Sequence, residues 1–123
     1  MSQQVNLDLA LKKLNELPTD INGNINTDLF GLNVNRKLAV HHPAVAVRLP
    51  VVEFKFETIY LFHKKLSKGR VLYQLMNTEP LLGGDLYPTI NTVNGYKVVS
   101  DGNHRVAALT LLGFDGFKFH YRS

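Results

Sequence analysis

The stretch Tyr96-Lys97-Val98-Val99-Ser100-Asp101-Gly102-Asn103-His104-Arg105-Val106-Ala107-Ala108 changes periodicity within a few residues. A β-branched run ends at Ser100, Asp101-Gly102 supplies a tight turn, and an apolar helical pattern begins at once. The reading is strand, turn, helix, with His104 and Arg105 on the first helical turn. Such a turn carries backbone N–H groups without intrahelical partners and the positive end of the helix dipole, so it attracts anions. A His and an Arg placed there add donors suited to phosphate oxygens. The same residues also read as plain structure, with Asp101 as cap, Gly102 as turn and Arg105 at the surface. Residue physics alone leaves both readings open.

The flanks extend the pattern. Asn94-Gly95 between Thr89–Val93 and Tyr96–Ser100 predicts a β-hairpin with a type I′ turn. Arg105–Leu112 reads as helix with Gly113 as its stop. Phe117, Phe119 and Tyr121 alternate with Lys118 and His120, which predicts a final strand with an aromatic core face and an exposed His120. Upstream, Val51–Thr58 reads as a strand, Lys64–Met76 as a helix, and Pro80 with Gly83-Gly84 as a loop. Leu7, Ala10, Leu11, Leu14 and Leu17 have helical spacing, and Pro18 stops them. Asp20, Asn22, Asn24, Asn26 and Asp28 imitate a calcium loop, but Gly23 is misplaced and no Glu closes it, so the segment reads as a turn region. Ala44–Val47 reads as a short extended segment, and the His41-His42 pair lacks a third ligand at metal-site spacing. The expected organisation is an N-terminal extension of helix and loops, 1–49, packed on a compact unit, 50–123.

At 123 residues the chain can bury a hydrophobic core without staples. The lack of cysteine excludes disulfides, thiolate metal sites and cysteine nucleophiles, and it fits a cytoplasmic location. Met1-Ser2-Gln3-Gln4 lacks the layout of a signal peptide, and no apolar run reaches the ~20 residues of a membrane span. The net charge of +4 is a mild bias towards polyanions. Lys64, Lys65 and Lys68 are the candidate nucleic-acid contacts, and a solvated helix face explains them as well.

Tyr96 to Leu112, with Gly113 and the strand Phe117–Tyr121, resembles the signature of the ParB/sulfiredoxin-like superfamily, whose members place an Asp-Gly-x-His-Arg type motif between strand and helix. The likeness is specific over these residues and extends more loosely back to Pro50. It implies an α+β fold with a small mixed sheet and packed helices. It also implies a nucleoside tri- or diphosphate, with Mg2+, held by Asp101, Gly102, Asn103, His104 and Arg105. Sulfiredoxin carries cysteine where this chain has Asn103, so sulfinic-acid reduction is excluded. Chromosome-partitioning members carry a helix-turn-helix domain after this unit, and Ser123 ends the chain before one.

The resemblance leaves several activities open: an NTPase, a small-molecule kinase, or a nuclease. Phosphoryl transfer needs cations, amide donors and a base or positioned water. His104 and Arg105 are the expected catalytic residues, with Glu53 as the candidate base and Glu57 or Asp85 as substitutes. The rival reading is a non-enzymatic module for nucleic acid or protein, by analogy with small relatives encoded by plasmids and phages.

Overall fold

In chain order, the computed structural model, which describes residues 6–34, 49–84 and 86–123, runs α1 (Leu7–Glu16), β1 (Asn24–Asn26), a 3-10 turn (Thr27–Phe30) and β2 (Asn33–Val34). It continues through β3 (Val51–Lys55), a 3-10 turn (Phe56–Thr58), β4 (Tyr60–Leu61), β5 (Lys65–Ser67), α2 (Lys68–Met76) and α3 (Thr78–Gly83). The last elements are β6 (Thr89–Val93), β7 (Tyr96–Asp101), α4 (Asn103–Leu111) and β8 (Gly116–Arg122). The chain is therefore α+β.

The β6–β7 hairpin forms at Asn94-Gly95, where both residues take the positive φ that a type I′ turn requires, 50° and 83°. It lies inside a six-stranded mixed sheet of order β2-β4-β7-β6-β8-β3. β4 runs parallel to β2 and β7, β6 runs parallel to β8, and β3 closes the far edge antiparallel to β8. One sheet face carries Leu61, Ile90, Val99 and Phe119 against the apolar sides of the helices. Each fully buried aliphatic or aromatic side chain of this kind contributes about 1.5–3 kcal/mol. Phe117 and Tyr121 pack beside Phe119, so the aromatic stripe is core, and Phe54 meets Phe119 and Tyr121 edge to face.

Residues ahead of Pro50 share this core. Asn6 caps α1 by accepting from the Leu9 N–H at 3.0 Å, and Ala10 and Leu14 are buried on its inner face. β1 pairs antiparallel with β5, and β2 joins the large sheet. Asp20 holds the intervening turn, accepting from the Asn22 and Asn24 N–H groups and from Lys65 Nζ at 2.9 Å. These contacts, Lys65 first, hold its carboxyl below the usual carboxylate range.

Four local expectations change, the first in the expected turn region Asp20–Asp28, where Asn24–Asn26 forms β1 because it pairs with β5. The helix expected from Lys64 starts at Lys68, because Lys65–Ser67 pairs with β1 and Ser67 Oγ caps α2 by accepting from the Arg70 N–H. The strand expected through Thr58 ends at Lys55, where Phe56 turns inward and the 3-10 turn begins. Pro80 lies in the first turn of α3 rather than in a loop, a position where a missing N–H breaks no intrahelical bond. The expectations for Ala44–Val47, His41-His42 and Asp85 fall outside the described residues.

Candidate functional site

The turn between β7 and α4 depends on Gly102. Its φ of +93° lies in the left-handed region, and a Cβ would stand 2.6 Å from Pro88 Cβ. The first helical bond of α4 runs from the Val106 N–H to the Gly102 carbonyl. No side chain caps this helix, so Asp101 does not take the capping role the sequence allows it. The first-turn N–H groups of Asn103, His104 and Arg105 thus precede the helical ladder and have no partner within it. They border a cavity of about 530 Å³ whose opposite wall is formed by His63 and by Gly69, Arg70 and Tyr73 of α2.

Asn103 fixes the turn from below. Its side chain is buried, donating from Nδ2 to the Val99 carbonyl at 3.1 Å and accepting at Oδ1 from the Phe62 N–H at 2.8 Å. Both ends of the amide are committed to backbone, so this side chain braces the turn. His104 joins the two walls, because its Nε2 accepts from the Ser67 N–H at 3.1 Å. An N–H donor requires a lone pair at Nε2, so the neutral ring carries its proton on Nδ1. Half-burial, then the positive charge of Arg70 and the nearby His63, push the imidazole down to about 4. At neutral pH His104 is accordingly an uncharged donor. As a general base it would have to break its bond to Ser67.

Arg105 departs most from expectation. Its Nε and Nη2 donate to the Leu81 carbonyl at 3.1 and 2.8 Å, Nη2 also reaches the Pro80 carbonyl at 3.3 Å, and Nη1 donates to the Leu86 carbonyl at 2.6 Å. The guanidinium lies 5.5 Å from the Phe117 ring centroid. Desolvation lowers its pKa, yet an arginine in such surroundings keeps its charge. Its donors therefore clamp carbonyls at the C-terminal end of α3 and in the segment after it, of which Pro80 also accepts from the Gly84 N–H. The guanidinium free to meet a ligand is Arg70. It is exposed, and among the described residues it has no hydrogen-bond or ion-pair partner for its side chain.

The other expected site residues lie elsewhere. Glu53 is on β3, beside Lys118 of β8, and borders a separate cavity with Tyr87 and Phe117, so it is not brought to His104. Three strand-to-strand steps separate β3 from β7. Glu57 lies in the 3-10 turn after β3 and borders another cavity, beside Asp115. Lys65 is engaged by Asp20, while Lys64 on the approach to β5 and Lys68 at the start of α2 are not among the cavity's lining residues. His120, expected in solvent, is buried. Its Nδ1 donates to the Leu49 carbonyl at 3.2 Å and its ring lies against Tyr87. Asp101 is the carboxylate among the described cavity residues, and no set of three or more His, Cys, Asp or Glu side chains among the described residues could hold a metal by itself.

Sequence reasoning missed Arg70 and His63. A signal for Arg70 was present: Ser67 followed by a helix places Arg70 on the third helical position, in the first turn that the N-cap serine defines. Comparisons with known protein families, curated proteins and solved structures find no match for this chain.

Proposed function

We propose that this protein binds the phosphates of a nucleotide in the cavity between the first turns of α2 and α4. The observation that carries this reading is the pairing of an uncapped α4 N-terminus with the unpartnered guanidinium of Arg70 across one cavity. Open amides, a neutral His104 donor and a guanidinium fork supply the donors that phosphate oxygens accept, and the helix dipole favours the same charge. The resemblance of Asp101–Arg105 to the nucleotide-binding turn of the ParB/sulfiredoxin-like superfamily supports the same ligand, with the roles of the two arginines reassigned. Magnesium bound to phosphates keeps several waters and needs one or two protein oxygens, and Asp101, which borders the cavity, would supply one.

Binding is the activity this arrangement supports. Hydrolysis or phosphoryl transfer would need a base, and Glu53 is remote while His104 holds its basic nitrogen against Ser67. The test is calorimetric titration of the full chain with ATP, ADP, CTP and CDP in the presence of magnesium. Saturable binding that Arg70→Gln weakens at least tenfold is the expected result. Absence of binding to every nucleotide, or equal binding by the variant, overturns the proposal.

A further inference from the structure

The cavity extends beyond what phosphates need. Its volume of about 530 Å³ falls within the roughly 300–1,000 Å³ of small-molecule sites. The amides of α4 and the Arg70 guanidinium occupy one part of the wall. Along α2 the next lining residues are Tyr73 and Gln74, which follow Arg70 by the three- and four-residue spacing that brings side chains onto one helical face. The buried face of α2 is carried by Val71 and Leu75, so Tyr73 has no part in the core. It is 65% exposed, and among the described residues its ring meets no other aromatic ring. Its hydroxyl and the Gln74 amide likewise have no hydrogen-bond partner among the described residues.

A flat apolar ring left in water, one helical turn from a free guanidinium and on the same cavity wall, matches a ligand that joins a phosphate to a flat heterocycle. Resting on the phosphate reading above, we infer that Tyr73 is the base-stacking residue of the site: the ligand is a nucleoside phosphate whose base lies on the Tyr73 ring while its phosphates reach Arg70 and the first turn of α4. The stack depends on the ring face and not on the hydroxyl, so phenylalanine serves equally and alanine does not.

The experiment titrates the full chain with inorganic pyrophosphate and with whichever of ADP and CDP binds more tightly. Tyr73→Ala is expected to weaken nucleotide binding roughly 5- to 150-fold, the range of one base stack, and to leave pyrophosphate binding unchanged. Tyr73→Phe is expected to bind both as the parent chain does. The inference is overturned if Tyr73→Ala keeps full nucleotide affinity, if it loses both ligands equally, or if the parent chain binds pyrophosphate as tightly as nucleotide. In those three cases the phosphate reading survives. If the parent chain binds neither ligand, the phosphate reading falls and the inference with it.

Discussion

The first turns of α2 and α4 face each other across one cavity and are built in opposite ways. In α2 two of the first-turn N–H groups are satisfied, that of Lys68 by the Gly23 carbonyl and that of Arg70 by Ser67 Oγ, while the Arg70 side chain stays free among the described residues. In α4 the backbone is open and the side chains are occupied, Asn103 by Val99 and Phe62, His104 by Ser67, Arg105 by Pro80, Leu81 and Leu86. Each helix lacks what the other presents. Two arginines in equivalent first-turn positions can thus have unrelated work, one bracing the fold and one facing the open cavity. The distinction follows from which backbone carbonyls lie within reach of each.

The comparison can be broken most directly at Gly102. Gly102→Ala places a Cβ against Pro88 at a left-handed φ, and the conformational and overpacking costs together amount to roughly 2–5 kcal/mol. Chemical denaturation should show that loss; a near-neutral result would mean the turn relaxes without cost and does not fix the α4 amides. Next in size is Arg105→Met, which removes the clamp on the α3 carbonyls and should destabilise by about 2–3 kcal/mol. Folded protein of this variant should still bind nucleotide. Loss of binding with unchanged stability would reverse the roles assigned to the two arginines.

Arg70→Gln should show the opposite pattern. Its stability should stay within about 0.5 kcal/mol of the parent, because no contact among the described residues depends on the guanidinium. Its nucleotide affinity should fall by roughly 10- to 150-fold, the weight of charge-assisted hydrogen bonds.

The smallest effect concerns His104. Its pKa is near 4 in the folded chain and near 6.5 as the ordinary histidine value, so between these the unfolded chain binds more protons. The stability this neutral ring contributes is therefore complete above about pH 6.5 and is lost as pH falls through 4. With the ring half-exposed and screened by solvent, the loss is of order 1 kcal/mol. His104→Gln, which keeps an acceptor but cannot titrate, should flatten that part of a pH–stability curve. An identical acid slope in the variant would show that another group titrates there.

What could be read from the sequence was local. Asn94-Gly95 specifies its hairpin with two adjacent residues, and Gly113 ends α4 at a φ of 98°, so neither needs distant partners. The start of α2 was misplaced because Leu66 and its neighbours pair with Ile25, a contact far along the chain that overrides helical spacing. His120 followed the alternation of its strand, but its burial depends on Leu49 and Tyr87. Asp101–Arg105 was correctly placed on a strand–turn–helix junction, while the use of each side chain was hidden. The carbonyls that occupy Arg105 belong to α3 and the segment after it, and a carbonyl is a group every residue carries, so no side-chain pattern announces it.

The strand order has a consequence for how the chain reaches this structure. β6, β7 and β8, the last two joined through α4, follow one another in sequence and sit side by side within the sheet, whereas β3 must find β8 with Val51 opposite His120, 69 residues further along the chain. Closing so long a loop costs entropy before any pairing offsets it, while the hairpin closes over two residues. The C-terminal third is therefore expected to order first, with the far edge of the sheet pairing later. Substitutions at Asn94-Gly95 should slow folding, and those at Val51 or Val52 should mainly speed unfolding. On that order the α4 wall would form before the cavity is closed by the contact between Ser67 and His104.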